Sequence, residues 1–194
     1  RWRENISLLV SEPDAGISDA WNKGLRLATG EVIGLLNAGD EYLPGTVAAA
    51  CAGLNAGTGA DIIYGDTDLV DERGALQRRT HGRFHLWKHS GGLGFYHPSV
   101  FARRQVYERI GDFNPRLRYA MDVDWLLRAH AAGLRLSHGA YAVRMLDEGV
   151  SVAGRFAAFG ESLQALKTNG QPDRTAYLAM VSTGLRGLVR GLIK

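Results

Sequence analysis

The feature that most restricts the fold of this chain is an alternation of short apolar runs with helical patterns. Residues 32–36 form a continuous apolar run, which is typical of a strand covered on both faces in a parallel sheet. Residues 17–28 carry apolar side chains at helical spacing. Because strand and helix patterns alternate in this way as far as residues 62–64, the sequence predicts an α/β layer architecture.

The rest of the chain extends this pattern less regularly. Three further runs have strand character and cover residues 6–10, 99–102 and 134–143. A turn with the sequence Asp-Glu-Arg-Gly separates residues 67–69 from residues 75–79 and predicts a hairpin. A second clear helix is expected to start near Asp122, and the chain has helical character from residue 156 onward, with a break at residues 170–172.

Length and composition exclude several classes of protein. A chain of 194 residues that is 45% hydrophobic and 22% charged is sized for one domain and lacks the composition of a disordered, collagen-like or coiled-coil protein. The single cysteine, Cys51, excludes an intramolecular disulfide and a cysteine-rich zinc site. No apolar stretch reaches the roughly 18–20 residues that a membrane-spanning helix needs. The net charge of +3 fits an anionic ligand or lipid surface, and a solvated basic face equally well.

Two acidic motifs are candidates for a metal ligand and for a base. Asp40 follows the apolar run at 32–36, and ligands of open α/β sheets bind outside the carboxyl ends of strands. A carboxylate there is a candidate ligand for Mg²⁺ or Mn²⁺, although the residues Asn-Ala-Gly-Asp are also ordinary turn residues. Asp122 and Asp124 open the second helix, where one of them can serve as a base; acids are also favoured at helix N-termini by capping and by the helix dipole.

Basic and histidine motifs leave further alternatives open. His97 precedes the strand-like run at 99–102 and is a candidate for metal, phosphate or acceptor contact, or a structural residue. The i, i+4, i+8 spacing of His81, His85 and His89 is that of helical zinc ligands, but Gly82 weakens the helix and no neighbouring acid or cysteine completes the shell. The C-terminal helix carries a basic stripe that fits an anionic membrane interface or a solvated face; the stripe consists of Arg186, Arg190 and Lys194.

Taken together, these segments resemble the family-two glycosyltransferases. The most specific signal is residues 11–24, which are similar to the family segment SEPDxGIxDAxNKG. Further blocks are similar to family motifs in the family's order: the acidic strand-end motif at 36–40, the next strand end at 64–66, an HQxxF-like segment at 97–101, the block of the catalytic aspartate at 111–113 and 121–128, and a GGVS-like segment at 148–151. The resemblance covers roughly residues 6–155.

The resemblance implies a glycosyltransferase-A fold with a mixed, mostly parallel sheet flanked by helices. It places a transferase domain in residues 1–155 and a C-terminal helical extension in residues 156–194. It further implies an inverting transfer from a nucleotide-diphosphate sugar, a UDP-sugar in particular, with Asp122 as the base and Asp40 as the ligand of Mg²⁺ or Mn²⁺. The other implied contacts to nucleotide, sugar or acceptor are Asp14, Gly16, Asn22, Asn37, Asp66, His97 and Asp124.

Three departures from the family pattern affect these expectations. The family's strand-end motif usually has paired acids, whereas Asn37 and Gly39 leave Asp40 as its single carboxylate. The acid that often precedes the catalytic aspartate is Met121 here. The usual N-terminal segment that grips the nucleotide base is not found in this sequence, so we expect either a fragment or a pocket completed from elsewhere.

Partners and rival functions follow from the same resemblance. It suggests a bacterial, cytoplasmic enzyme of cell-envelope polysaccharide or lipid-linked glycan synthesis, with peripheral contact to the inner face of the membrane through the C-terminal helix and no nucleic-acid partner. A rival hypothesis is a non-catalytic module with a degenerate transferase fold that binds a glycan or a protein. A nucleotidyltransferase is a second rival, but its usual glycine-rich, basic phosphate-binding loop is not evident.

Overall fold

The structure is a computed structural model that describes residues 3–84, 93–147 and 154–170. The described part contains six strands and five α-helices. The strands are β1 (Val32–Gly34), β2 (Glu41–Tyr42), β3 (Ile62–Val70), β4 (Leu76–Thr80), β5 (Val100–Arg103) and β6 (Leu136–Leu146). The helices are α1 (Ile17–Leu27), α2 (Thr46–Asn55), α3 (Arg104–Ile110), α4 (Met121–Ala131) and α5 (Arg155–Thr168), and short 3₁₀ turns cover Arg3–Asn5 and His97–Ser99.

All six strands form one mixed sheet with β3 at its centre. The strand order is β1-β5-β3-β6-β2, and β4 pairs with the second half of β3. Among the described strands only β3 and β6 run parallel, whereas β1 with β5, β5 with β3, β3 with β4 and β2 with β6 are antiparallel. The predicted α/β fold with a mixed sheet is therefore confirmed, but the expectation that the sheet is mostly parallel is wrong for these strands, because β5 lies between β1 and β3 and runs against both.

Two of the strand predictions also need correction. Residues 32–36 were expected to form a strand covered on both faces of a parallel sheet, but β1 has three residues and pairs antiparallel with β5, and among them only Ile33 is buried. Residues 6–10 were expected to form a strand; they form no ladder with the described strands, and the apolar side chains of Ile6, Leu8, Leu9 and Val10 are exposed. An apolar run by itself does not determine whether a segment joins the sheet, or with which strand it pairs.

The remaining elements agree with the sequence pattern. The helices expected from residue 17, near Asp122 and from residue 156 are α1, α4 and α5, and the predicted hairpin is β3–β4. The strand expected at 134–143 is β6. No helix in the described ranges is long and apolar enough to cross a membrane. The basic stripe at 186, 190 and 194 and the GGVS-like segment at 148–151 lie outside the described residues, as do His85 and His89.

Side chains on the two faces of the sheet form two cores. Ile63 on β3 packs with Leu54 of α2 on one face. Its neighbour Ile62 points to the other face, because side chains alternate along a strand, and joins the larger core built by α1, α3, α4 and α5 around Trp125. Within α5, Ala165 and Leu166 belong to this larger core. The division of the chain at residues 155 and 156 stays a prediction.

A carboxylate from α5 fixes the start of α4. Glu161 accepts hydrogen bonds from the backbone N–H groups of Arg118, Tyr119 and Ala120, at distances of 2.6 to 3.0 Å. These N–H groups directly precede α4, which has no side-chain cap at its own N-cap residue. Glu161 therefore takes the place of a local cap and also places negative charge at the positive end of the helix dipole.

We predict that Glu161→Ala lowers the free energy of unfolding by about 1–3 kcal/mol, because hydrogen bonds to a charged group are lost and backbone donors are left without an acceptor. Chemical denaturation followed by circular dichroism measures this change. The matched control is Glu72→Ala in the exposed β3–β4 turn, which should change stability by less than about 0.5 kcal/mol. Equal stability of the two variants would contradict the capping role.

Candidate active site

Three segments that are separate in sequence meet in one region of the structure. They are the turn between β1 and β2, which carries Asn37 and Asp40, the 3₁₀ turn that begins at His97, and the first turn of α4 with Asp122. The indole of Trp21 on α1 packs against the His97 ring with a centroid distance of 5.0 Å. Of the predicted site residues, the structure thus brings Asn37, Asp40, His97 and Asp122 together, although 85 positions separate Asn37 from Asp122 (122 − 37).

Asp122 is a partly buried carboxylate in the first turn of α4. Its Oδ1 accepts a hydrogen bond from the Val123 N–H at 2.8 Å, and its Oδ2 lies 4.0 Å from His97 Nδ1. The side chain is only 27% exposed. This burial disfavours the charged form and raises the pKa of Asp122 to about 6, although backbone N–H groups act in the opposite direction. Asp122 is therefore ionised at neutral pH but much more basic than an ordinary aspartate.

His97 is neutral in this environment. Its side chain is 16% exposed, and burial lowers its pKa to about 4 against the opposing effect of the Asp40 charge. The Nε2 atom lies 3.1 Å from Nδ2 of Asn37, and Oδ1 of Asn37 accepts a hydrogen bond from the Trp21 indole at 3.2 Å. The residues Trp21, Asn37 and His97 thus form one continuous set of hydrogen bonds that ends beside Asp122.

Asp40 is held between the first turn and the end of β6. Its Oδ1 accepts from the Leu146 N–H at 3.2 Å, and its own N–H donates to the Asn37 carbonyl at 3.1 Å. Burial raises the pKa of Asp40, while the hydrogen bond from the Leu146 N–H opposes this shift. Gly39 supports the turn with a φ of +94°, in the left-handed region that a glycine adopts without strain.

The residues around Asp40 fit a divalent cation in a limited way. Within the described ranges no group of three or more His, Cys, Asp or Glu side chains could hold a metal ion. Asp40 offers a single carboxylate, whose Oδ1 accepts from the Leu146 N–H. Such a site suits a Mg²⁺ or Mn²⁺ ion that takes its remaining ligands from substrate phosphates and water.

A small cavity opens beside the His97–Asp122 pair. Its volume is about 20 Å³, and Trp21 and Phe113 are among its lining residues. A cavity of this size accommodates one water-sized group. Apolar side chains form most of the remaining wall, so the polar groups that face it are few and defined.

The other predicted contacts lie elsewhere. Asp14 accepts from the Gly16 N–H at 2.9 Å at the start of α1, beside an open groove of about 800 Å³ between residues 7–14 and α1. Asn22 exchanges two hydrogen bonds with the Phe113 backbone, at 2.8 and 2.9 Å, and clamps α1 to the loop before α4. Both ends of the Asn22 amide are therefore occupied.

Asp66 and Asp124 are engaged by protein groups as well. Asp66 accepts from the Gly82 N–H and lies 2.9 Å from His81 Nδ1 and 2.8 Å from His138 Nε2. Hydrogen bonds of Asp66 to these groups lower its pKa, and burial opposes that effect. Asp124 is buried and binds the Arg128 guanidinium at 3.0 Å and the Asn169 amide at 3.1 Å.

Sequence reasoning missed two residues of this region. Trp21 belongs to the apolar face predicted for residues 17–28, but its indole N–H also reaches the site, where it donates to Asn37. Glu161 positions α4 from 40 residues downstream (161 − 121). Because caps are normally local in sequence, no pattern in the chain points to this contact.

Comparison with known proteins decides the family. The family model described as "Glycosyl transferase family 2" matches residues 2–122, and this range includes Asn37, Asp40, His97 and Asp122. The chain belongs to glycosyl transferase family 2. Its match to the family therefore ends at the predicted base, Asp122.

Curated relatives and solved structures agree with this family. The chain is 31% identical over 122 residues to the PGL/p-HBAD biosynthesis glycosyltransferases of Mycobacterium tuberculosis and Mycobacterium bovis. The match includes 62% of this chain and 46% of each relative, so the chain spans about half the length of the curated relatives it matches.

The solved structures of S. aureus TarS show the same fold. TarS 1-349 superposes with a TM-score of 0.52 and 14% identity over 94% of this chain and 55% of that chain. Its complex with UDP-GlcNAc gives a TM-score of 0.55 and 16% identity over 87% of this chain and 50% of that chain. The likeness confirms the predicted glycosyltransferase-A fold.

We predict that Asp122→Asn stabilises the folded chain at pH 8. A buried carboxylate whose folded pKa of about 6 exceeds its unfolded value of 3.8 destabilises the native state when it is ionised. Removal of the charge should add about 3 kcal/mol to the free energy of unfolding at pH 8, at about 1.36 kcal/mol for each pKa unit. The gain should shrink as the pH falls from about 6 towards 3.8, because the wild-type carboxyl is then protonated in the folded state.

Urea denaturation at pH 8 and at pH 4.5 measures both parts of this prediction. The exposed Asp147 provides a matched control, since Asp147→Asn should leave stability unchanged at both pH values. A stability gain of Asp122→Asn that stays the same at the two pH values would show that burial of the charge is not its cause.

Proposed function

We propose that this chain belongs to an enzyme that transfers a sugar from a nucleotide-diphosphate sugar to a hydroxyl acceptor with inversion at the anomeric carbon. The observation that carries the proposal is the partly buried Asp122 carboxylate at the start of α4, which lines a small cavity together with His97. Its raised pKa, about 6, is suited to a base that works near neutral pH. The family membership, together with a structural neighbour solved with UDP-GlcNAc and with UDP, supports a UDP-sugar as the donor.

The reaction requires one base and one displacement. Asp122 Oδ2 accepts the proton of the acceptor hydroxyl as that oxygen attacks the anomeric carbon. The new oxygen–carbon bond forms while the bond from the anomeric carbon to the diphosphate oxygen breaks, and the nucleoside diphosphate leaves with the electron pair. Attack from the face opposite the leaving group inverts the anomeric centre.

Asp40 is the residue proposed to hold the metal. A bound Mg²⁺ or Mn²⁺ neutralises negative charge that develops on a departing diphosphate. Asp40 contributes one carboxylate oxygen, and the Leu146 N–H fixes the orientation of the carboxylate through the other. A site with one protein carboxylate depends on the substrate for its remaining ligands, so we expect metal and nucleotide to bind together.

The contacts to the sugar nucleotide and the acceptor are proposed from where these residues lie in the structure. Asp14 lines the groove beside α1 and accepts from the Gly16 N–H, and both are proposed nucleotide contacts. Asp66 is a proposed contact for sugar or acceptor. Asn22 and Asp124 are left out of the proposed site, because both are buried and protein groups already engage their polar atoms, whereas Asp66 is only partly buried.

The acceptor and the cellular setting are also proposals. We propose a glycan or lipid-linked acceptor of the bacterial cell envelope, and an enzyme on the cytoplasmic side of the membrane in peripheral contact through the basic stripe at 186, 190 and 194. The alternation of Arg and Lys with leucines in that segment supports this proposal.

A non-catalytic binding module is the second candidate. The observation that favours it is the single carboxylate, Asp40, at the strand-end motif. Such a module would bind a glycan or a protein without releasing nucleoside diphosphate, so product release distinguishes the two functions.

Calorimetric titration with UDP tests the donor site. We expect UDP to bind in the presence of Mn²⁺ and to bind at least tenfold more weakly without it, because Asp40 and the diphosphate share the ion. Asp40→Ala should abolish the effect of Mn²⁺, and Asp147→Ala should preserve it. Binding of UDP that is equally tight with and without Mn²⁺, in a folded chain, would contradict the metal role of Asp40.

The second functional prediction concerns Asp122. Asp122→Asn should retain UDP binding but lower the rate of UDP release from the sugar nucleotide by about 10²–10⁴-fold, since it removes the base. In the wild type, kcat/KM should fall as the pH drops below about 6, because the base becomes protonated. Turnover by Asp122→Asn at the wild-type rate would exclude Asp122 as the base.

A further inference from the structure

The hydrogen bonds that end at His97 determine which of its ring nitrogens carries the proton. The indole Nε1–H of Trp21 is a donor and has no acceptor capacity, so the Asn37 atom that it contacts at 3.2 Å must be the carbonyl oxygen Oδ1. The orientation of the Asn37 amide is thereby fixed. The NH₂ group of Asn37 therefore faces the imidazole of His97.

The Asn37 amide in turn fixes the imidazole. Nδ2 of Asn37 lies 3.1 Å from Nε2 of His97, and an amide NH₂ can only donate. Nε2 must therefore present its lone pair, because two N–H groups would otherwise face each other. A neutral imidazole has one N–H, so the proton is on Nδ1. The burial that lowers the pKa of His97 to about 4 also favours this neutral form.

The Nδ1–H then points towards the proposed base. Nδ1 of His97 and Oδ2 of Asp122 are 4.0 Å apart, which is too far for a direct hydrogen bond. An oxygen atom placed about 2.8 Å from each of them would accept from the first and donate to the second with ordinary hydrogen-bond lengths. The cavity of about 20 Å³ that both residues line has room for one such group.

We propose that Trp21 and Asn37 hold His97 as its Nδ1–H tautomer, so that His97 and Asp122 together bind a single hydroxyl group between them. The inference rests on the proposed function for the identity of that group, which is the acceptor hydroxyl. The His97 N–H donates to one lone pair of the hydroxyl oxygen and directs the hydroxyl proton to Asp122 Oδ2. The proton moves to Asp122 in the transfer, while the His97 proton stays on Nδ1.

The amide at position 37 is essential to this arrangement. An aspartate at this position would present only acceptor atoms to Nε2 and would require a proton there. The imidazole would then either become positively charged or present its Nδ1 lone pair to the Asp122 carboxylate. The asparagine avoids both outcomes and leaves a neutral donor beside the base. Asn37 and Trp21 are therefore positioning residues that act through His97.

Nitrogen NMR of the apo chain labelled with ¹⁵N-histidine tests the tautomer directly. We expect the wild-type His97 spectrum at pH 7.5 to show a protonated Nδ1 and an unprotonated Nε2. Asn37→Asp should place a proton on Nε2, and Trp21→Phe should produce a mixture, because the amide is then free to turn over. Asn55→Asp is the matched control: it makes the same change at the exposed end of α2, where Asn55 accepts from Arg103, and should leave the His97 spectrum unchanged. A wild-type His97 protonated on Nε2 would overturn the proposal.

A pair of substitutions tests whether the donor faces Asp122. The side-chain nitrogen of asparagine lies at the same bond distance from the backbone as Nδ1, and that of glutamine at the same distance as Nε2. His97→Asn should therefore keep a donor beside Asp122, whereas His97→Gln should not. We expect the pKa of Asp122, followed by ¹³C-carboxyl NMR, to be higher in His97→Gln than in His97→Asn by about half a unit or more.

Equal Asp122 pKa values in the two variants would contradict the donor–acceptor pair. Both NMR measurements are made without nucleotide, so they are independent of the UDP titration. A chain that shows the Nδ1–H tautomer and the expected pKa order but binds no UDP would refute the nucleotide site and still support the hydroxyl site. A chain that binds UDP with Mn²⁺ but has His97 protonated on Nε2 would refute this inference alone.

Discussion

The parallel pairing of β3 with β6 is the contact on which the sheet and the candidate site both depend. β6 follows β3 from Ile62 opposite Leu136 to Val70 opposite Leu146. At its end the Leu146 N–H binds Asp40, and on the other side of β3 the strand β5 begins directly after the His97 turn. Two of the three segments that form the site are thus positioned by the neighbours of one central strand.

Burial acts in opposite directions on the two facing residues of the site. It raises the pKa of Asp122 to about 6 and lowers that of His97 to about 4, because the charged form of each is poorly solvated. At neutral pH the pair therefore has one negative charge and a neutral ring. The native state is less stable with Asp122 ionised, as is common where a functional group needs a shifted pKa.

The sequence predicts the parts of this structure that depend on local patterns. The helical spacing at residues 17–28 identifies α1, and the spacing after Asp122 identifies α4. The turn at 71–74 identifies the hairpin. The direction and neighbours of strands depend on contacts between distant residues, which explains the errors at 6–10 and in the proportion of parallel pairs. Sequence motifs identify Asp40, His97 and Asp122 as candidate site residues. The Trp21–Asn37–His97 hydrogen bonds and the Glu161 cap join residues that share no sequence pattern, so they could not be predicted.

The exposed apolar segment at residues 6–10 has a practical consequence for work with the isolated chain. Residues 6–10 form no ladder with the described strands, so their backbone is available to pair with a strand of another molecule, and the exposed Ile6, Leu8 and Val10 would give such a pairing an apolar contact. The solubility of the chain will then depend on concentration and on ionic strength. Dilute samples, and buffers in which the net charge of +3 is not screened by salt, will keep the molecules apart.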